Sequence, residues 1–171
     1  TIIGHNDGYG FLRSEDGKND VYLPPTEMLK VMHGDRVIVK VFTPKNKTKA
    51  EGSITEILDR ANTELVGRLV IEQGMYLVVP EEKRIKHDIV IPKDDLNNAE
   101  VGQVVLIHLV DPPTKVTPPI GKVIEIIGNI DDPGIETSIA IRKFKIPYKF
   151  SKDVYDQQSL IDGKCLTNQD P

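Results

Sequence analysis

The sequence predicts an all-β protein made of two small barrels in tandem. Short segments rich in valine and isoleucine recur along the chain, separated by twelve prolines and thirteen glycines, which is the pattern of strands and turns. Four segments of the first half also recur in the same order in the second half. The length of 171 residues, of which 39% are hydrophobic, is sufficient for two domains of about 60 to 70 residues each.

The internal repeat consists of four segment pairs at a nearly constant offset. Glycine, proline and glutamate positions are shared along with the Val/Ile matches, so chance similarity between strands is a poor explanation. The pairs are 8–12 with 74–80, 21–25 with 89–93, 34–41 with 102–109 and 52–58 with 121–127. We therefore predict one domain over 1–60, a second over 61–130 and a linker over 131–171.

Turn residues divide each copy into five predicted strands. In the first copy the Asp16-Gly17 pair favours a turn between the second and third strands, and residues 24–35 have room for only a turn of helix before the fourth. Five strands with a short helical link after the third describe the OB-fold, whose second and third strands commonly bind oligonucleotides. The predicted strands are 2–3, 8–13, 21–23, 37–42 and 52–58 in the first copy, and 65–72, 75–80, 88–92, 103–110 and 122–128 in the second.

Three aromatic residues of the first copy are predicted to share one outward face. Tyr9 and Phe11 are two residues apart on one strand, so their side chains point to the same side, and Tyr22 joins them from the neighbouring strand. Gly8 and Gly10 leave space between the rings for flat bases. Stacking a base on an exposed ring contributes about 1 to 3 kcal/mol. The alternative is that these rings lie in the core, as aromatic residues of strands usually do.

The charge of the chain argues against binding nucleic acid by bulk electrostatics. The formal net charge is −4, whereas proteins that bind nucleic acid mainly by charge carry basic faces. One local exception is the segment 141–152, which has five basic residues, three aromatic residues and no acid. This segment is either an amphipathic connector with solvated lysines or a nucleic-acid contact. Any binding to single strands would therefore depend on rings more than on charge.

Several segments resemble a known family. DGYGFLRSEDGKNDVYLPP (7–25) resembles the paired ribonucleoprotein motifs of a cold-shock domain. The segments 33–41, 66–92 and 118–150 read in order like the amino-terminal part of the bacterial ribonuclease R family, and the similarity runs from about residue 2 to residue 158. The resemblance implies two tandem cold-shock domains of the OB type. In that family of processive 3′-to-5′ exoribonucleases they precede a catalytic domain and an S1 domain, which we expect to lie outside this chain.

The resemblance also implies a set of RNA-binding residues. Tyr9, Phe11 and Tyr22 occupy the stacking positions of the cold-shock motifs, whereas Pro24 stands where free cold-shock proteins typically have a histidine. Basic candidates would contact phosphates, and for each of them the alternative is a merely solvated side chain. The complete set of candidates is Tyr9, Phe11, Tyr22, Arg13, Lys18, Arg36, Arg68, Tyr76, Lys83, Arg84, Lys86, Arg142 and Lys143.

We predict no catalytic or metal site in this chain. Hydrolysis in the family is expected to use clustered aspartates that hold Mg²⁺, so we expect Mg²⁺ in the absent catalytic domain and no cofactor here. Asp131 and Asp132 precede a Pro-Gly pair and predict a turn, and Asp162 and Asp170 alone do not make a metal site. The four histidines and Cys165 lack metal-ligand spacing.

The function that follows is capture of single-stranded RNA for a ribonuclease R-like nuclease, with no cleavage by this chain alone. Two alternatives stay open at this point: a free-standing OB-fold RNA chaperone or translation-associated RNA-binding protein, and a pair of barrels that binds proteins or oligosaccharides. A single cysteine cannot form an internal disulfide, and the sequence has no long apolar run. We therefore expect a cytoplasmic monomer that has no membrane association.

Overall fold

The computed structural model describes residues 1–17 and 20–145, which form two five-stranded sheets and a carboxy-terminal helix. The predicted mainly β fold is confirmed. The first sheet contains β1 (Ile2–Gly4), β2 (Gly10–Leu12), β3 (Val21–Leu23), β4 (Arg36–Phe42) and β5 (Glu51–Asp59). The second contains β6 (Glu64–Glu72), β7 (Met75–Pro80), β8 (Ile89–Ile91), β9 (Gln103–Asp111) and β10 (Ile120–Asn129). The helices are α1 (Pro25–Met28), a 3-10 turn (Lys93–Asp95) and α2 (Ile135–Lys143).

The first sheet has the strand order β1-β2-β3-β5-β4, in which only the β3–β5 pair is parallel. Strands β1 and β4 therefore lie at its two ends. Hydrogen bonds bridge this gap just before β4 begins: the Ile2 amide donates to the Asp35 carbonyl (2.9 Å) and the Gly34 amide to the Ile2 carbonyl (2.8 Å). The sheet thus curls towards a barrel without strand pairing along the last side. Its core consists of Ile2, Leu23, Met28, Val31 and Ile54.

The second sheet is a closed barrel with the order β10-β8-β7-β6-β9, and β10 closes it by antiparallel pairing with β9. The two-residue turn between β6 and β7 places Gln73 and Gly74 at φ of 50° and 79°, the positive angles that a tight hairpin requires. The core of this barrel is aliphatic and includes Leu69, Val78, Ile89, Ile91 and Ile107.

A buried carboxylate joins the first sheet to the second barrel. Asp35 is 1% exposed and accepts hydrogen bonds from the amides of Met32 and Ala61, both at 2.9 Å, and from the guanidinium of Arg60 at 3.1 Å. The side chain of Met32 packs into the core of the second barrel. Residues on both sides of the joint are therefore fixed by one side chain.

The two sheets also touch on a second side of this joint. The Nε2 atom of His87 lies 3.0 Å from the Leu29 carbonyl, so Nε2 carries the ring proton and donates it. A Cβ atom added to Gly4 would lie 2.5 Å from the carbonyl oxygen of Arg84, so only glycine allows the two backbones to approach this closely.

Helix α2 packs against the second barrel, although the sequence predicted a linker over 131–171. Its Ile135 and Ile139 form a small cluster with Val66 and Val104. The chain enters the helix through the predicted Asp-Asp-Pro-Gly turn, in which Asp132 Oδ2 accepts from the Asn129 amide at 2.7 Å. The rest of the basic segment, together with Asp162, Cys165 and Asp170, lies outside the described residues. No helix within the described residues is long and apolar enough to cross a membrane.

Candidate nucleic-acid interface

Four rings form one cluster at the surface of the first sheet, which we call the aromatic patch. His5 stacks on Tyr9, with ring centroids 4.3 Å apart and an interplanar angle of 11°. Tyr9 meets Phe11 edge-on at 5.6 Å and Tyr22 at 5.7 Å in a tilted arrangement, and Phe11 and Tyr22 are 6.1 Å apart. The structure therefore brings the three predicted rings together and adds His5.

The patch results from the pairing of the first three strands. Phe11 and Tyr22 are direct partners across β2 and β3, so their side chains share one face. Tyr9 and Phe11 are two residues apart on that face. Gly8 has a φ of 93°, and the bond from its amide to the His5 carbonyl (3.0 Å) closes the turn between β1 and β2. This turn places His5 over Tyr9.

The two glycines near the rings have structural reasons of their own. Gly8 supplies the positive φ of the turn. A Cβ atom added to Gly10 would lie 2.5 Å from the Met28 sulfur, so this glycine lets α1 pack against the sheet. Space for bases between the rings stays a prediction.

The three predicted rings are partly buried rather than fully exposed. They cover one another, which explains the partial burial. Among the described residues, the core cluster of the first sheet consists of aliphatic side chains and Met28, and none of the three rings belongs to it. The rings are thus a surface cluster and not core residues.

A row of direct strand partners extends this face from β2 to β4. From Phe11 and Tyr22 the row continues through Glu51 on β5 to Phe42 on β4. Phe42 is 45% exposed. The sequence predicts Phe42 only as a strand residue, although its alternating position on β4 is a signal for an outward side chain.

Lys47 lies in the loop between β4 and β5 and contacts this row. Its Nζ atom binds the carboxylate of Glu51, the strand partner of Tyr22. Hydrogen bonding and charge attraction from Glu51 raise the pKa of Lys47 above its usual range. A cation is therefore placed beside the aromatic patch. The sequence showed a polar, lysine-containing loop here but gave no reason to choose Lys47.

A cavity of about 180 Å³ separates the aromatic patch from the second barrel, and we call it the junction cleft. His5 and Tyr9 line one side, and Arg84, Lys86 and His87 line the other. Two predicted residues of the second copy, Arg84 and Lys86, are thereby brought to the predicted rings of the first. The remaining lining residues are Gly8, Pro25, Met28, Leu29, Val31 and Met32.

Arg84 is partly neutralised by a neighbouring carboxylate. It forms two hydrogen bonds to Glu82, at 2.9 and 3.1 Å, and Lys143 lies 3.3 Å from the same carboxylate. The Arg84 hydrogen bonds, with support from Lys143, lower the pKa of Glu82 to about 2 in spite of its partial burial. Glu82 therefore compensates only part of the combined charge of Arg84 and Lys143. Within residues 1–17 and 20–145, Lys86 forms no ion pair.

The other candidates of the first copy lie apart from the junction cleft. Arg13 and Arg36 line a separate depression that also contains Glu15 and Asp16. Arg36 donates to Glu15 at 3.0 Å and to Asp59 at 3.2 Å, so its charge is already paired. Lys18 lies outside the described residues.

The remaining candidates of the second copy have varied surroundings. Arg68 and Lys83 are exposed, but Tyr76 packs against the core of the second barrel. The side chain of Arg142 is only 13% exposed and contacts Glu125 and the Ser138 carbonyl. Among the basic candidates that the structure describes, Arg142 is therefore the least accessible to a phosphate. Contact of these four residues with RNA stays a prediction.

Two histidines support the joint between the sheets. His33 Nδ1 accepts a hydrogen bond from the Gly4 amide at 3.2 Å, and His87 donates to Leu29 as described above. Burial is the main cause that lowers the pKa of each ring, with Arg84 adding to the effect at His33 and Arg60 at His87. Over residues 1–17 and 20–145 we find no group of three or more His, Cys, Asp or Glu side chains suited to a metal ion.

Comparison with known sequences relates the chain to ribonucleases. The Ribonuclease B OB domain matches residues 1–57, and the Cold shock domain matches residues 77–151. Ribonuclease R of Escherichia coli is 38% identical over 157 residues, which are 92% of this chain and 19% of that protein. Ribonuclease R of Vibrio cholerae is 40% identical over 159 residues, again 19% of its length. The chain thus spans about a fifth of these relatives.

A solved structure has the same fold. Mycoplasma genitalium RNase R in complex with ribose methylated single-stranded RNA aligns with a TM-score of 0.75 at 22% identity, covering 92% of this chain and 25% of that one. The likeness extends across both sheets, so the tandem arrangement of the two β-folds is shared.

Proposed function

This chain corresponds to the amino-terminal OB and cold-shock region of ribonuclease R, and from that relationship we propose that it captures single-stranded RNA for a 3′-to-5′ exoribonuclease domain of the same protein. The observation that carries the proposal is the aromatic patch, whose Phe11 and Tyr22 lie on β2 and β3. These are the strands that OB-folds commonly use to bind oligonucleotides.

The patch suits single strands because its rings offer flat apolar surfaces to unpaired bases. Base stacking contributes about 1 to 3 kcal/mol per base and does not depend on which base is stacked. The chain carries a net charge of −4, so ring contacts would supply more of the affinity than bulk charge. Lys86 would add a local phosphate contact beside the patch.

Binding of RNA and its hydrolysis belong to different domains. The present chain holds the strand, and Mg²⁺-dependent hydrolysis belongs to a catalytic domain outside the described residues. We expect the chain alone to leave RNA intact when it is incubated with labelled RNA and Mg²⁺. Release of mononucleotides under these conditions would contradict this division. We also expect the chain to act as a monomer in the cytoplasm.

Similarity over nearly the whole chain favours the nuclease-associated role over a free-standing RNA chaperone. The alternative of a protein-binding or oligosaccharide-binding pair of barrels predicts no affinity for RNA. A binding titration with single-stranded and duplex RNA of equal length, repeated at several salt concentrations, separates these cases. Preference for the single strand with a shallow salt slope supports the proposal. Absence of binding, or equal binding to duplex with a steep slope, overturns it.

A further inference from the structure

We propose that the junction cleft is a nucleotide subsite that takes one unpaired base with its phosphate as a strand passes from the aromatic patch to the second barrel. This inference rests on the proposed function and adds a second contact point to it. The cleft is lined from both sheets, so neither half of the chain contains the subsite alone.

The shape and lining of the cleft suit a single flat group. Met28, Leu29, Val31 and Met32 supply an apolar surface, and Tyr9 adds the edge of the aromatic patch. Its volume of about 180 Å³ is below the range of about 300 to 1,000 Å³ that encloses drug-sized ligands. One base fits this description better than a larger ligand does.

The charge of the lining suits a phosphate. The lining residues include Arg84, Lys86 and two histidines but no aspartate or glutamate. A nearby cavity between the two sheets, lined by Arg142 and Lys143, instead includes Glu64, Glu81 and Glu82. Because Glu82 already binds Arg84, Lys86 is the lining cation most able to contact a phosphate.

His5 connects the cleft to the aromatic patch. Its ring stacks on Tyr9 and also lines the cleft. The Asp7 amide donates to His5 Nδ1 at 3.2 Å, which holds the ring in place. A single-stranded RNA whose bases stack on the patch can therefore continue over His5 and enter the cleft without a gap in ring contacts.

Hydrogen bonds within the chain hold the two sides of the cleft together. The hydrogen bonds of Asp35 and the bond from His87 to Leu29 fix its two sides relative to each other. A preformed site avoids the entropic cost of ordering the two halves during binding.

The test uses a short single-stranded RNA and three alanine variants. Lys86→Ala should weaken binding and reduce the log–log salt slope by about 0.7, the value for one phosphate contact on a single strand. His5→Ala should weaken binding by at least about fivefold, as expected for the loss of one stacked base. The matched control is Lys122→Ala, which removes the same charge from an exposed position on β10 and should bind like the unsubstituted chain.

A fluorescent reporter gives a second measurement. The chain contains no tryptophan, so His5→Trp places a single indole at the cleft while keeping a flat ring. Added RNA should change the emission of this indole, and Lys86→Ala in the same background should shift the titration to higher RNA concentration. Lys86 is exposed, so its replacement leaves the fold intact even if His5→Ala does not fold.

Two different results would show that the cleft subsite is wrong or that RNA binding by the chain is wrong. If the chain binds RNA and Phe11→Ala weakens binding, but His5→Ala and Lys86→Ala behave like Lys122→Ala and the indole does not respond, the cleft subsite is wrong and the proposed function stands. If the unsubstituted chain does not bind RNA at all, the proposed function itself fails.

Discussion

Phe11 and Tyr22 face each other across neighbouring strands, with ring centroids 6.1 Å apart and planes inclined by 67°. Edge contacts of this kind are worth about 0.5 to 1.5 kcal/mol beyond the buried area. They hold the rings in place on the outer face of the first sheet. The same contacts leave part of each ring available to a base.

Removal of one ring from the patch should weaken RNA binding with little effect on its salt dependence. We expect Phe11→Ala to cost about 1 to 3 kcal/mol of binding free energy for single-stranded RNA, because one stacking surface is lost and no charge changes. Leu58→Ala removes an exposed apolar side chain elsewhere on this sheet and serves as the control. Titrations at two salt concentrations check both statements. Equal affinities of the two variants would exclude Phe11 from the binding surface.

Replacement of Glu82 should strengthen RNA binding. In the Glu82→Gln variant the guanidinium of Arg84 and the ammonium of Lys143 lose their shared partner and become available to phosphates. We expect tighter binding at low salt and a log–log salt slope steeper by about 0.7 for each phosphate gained. Glu100→Gln changes the charge equally at an exposed position and is the control. If both variants bind alike, the gain is a general charge effect and Arg84 is not a phosphate contact.

Acid should destabilise the joint between the sheets through His33 and His87. Both pKa values are lowered from 6.5 in the folded chain, mainly by burial, so the unfolded chain binds more protons as the pH falls below about 6.5. The two neutral histidines therefore contribute fully to the stability of the folded chain above that pH. This contribution declines as the pH falls through their folded pKa values.

Denaturant unfolding at pH 7.5 and at pH 5.0 tests whether acid lowers the free energy of unfolding through these two histidines. The doubly substituted chain with His33→Asn and His87→Gln keeps a side-chain acceptor at 33 and a donor at 87, and it should lose less stability between the two pH values than the unsubstituted chain. An equal loss in both proteins would assign the acid sensitivity to other groups.

Loss of the buried carboxylate should strongly destabilise the chain. Asp35→Ala leaves the amides of Met32 and Ala61 and the guanidinium of Arg60 without their acceptor, and we expect a cost of about 3 to 5 kcal/mol in unfolding free energy. Asp59→Ala is the matched control, because Asp59 forms an exposed ion pair with Arg36 that is worth about 1 kcal/mol or less. Thermal unfolding of both variants measures the difference. Similar losses would mean that Asp35 does not stabilise the joint.

Local patterns in the sequence account for the strands and the grouping of the rings. The alternation around Tyr9 and Phe11 fixed their shared face, and the repeat located the second set of strands. The sequence does not predict helix α2, because the basic residues of the segment 141–152 indicate a connector or a nucleic-acid contact rather than a packed helix. The spacing of Ile135 and Ile139, four residues apart, was the available signal for an apolar helical face.

The junction cleft has no local signal in the sequence. It depends on where the second barrel sits, which follows from contacts between residues far apart in the chain, such as Asp35 with Ala61 and Leu29 with His87. The sequence around His5 does not indicate ring stacking, because its contact with Tyr9 depends on the turn at Gly8. Pairing of Arg36 and Arg84 with carboxylates was likewise not visible, because their partners meet only in the folded chain.

The two sheets differ in how their strand pairing ends. Every strand in the closed ring of β6 to β10 has a strand partner on both sides, whereas β4 of the first sheet has one flank without a strand partner. In hydrogen–deuterium exchange, the amides of β4 should therefore exchange before those of β9. Since the aromatic rings also lie on the first sheet, a single-stranded RNA would contact the half of the molecule whose backbone opens more readily.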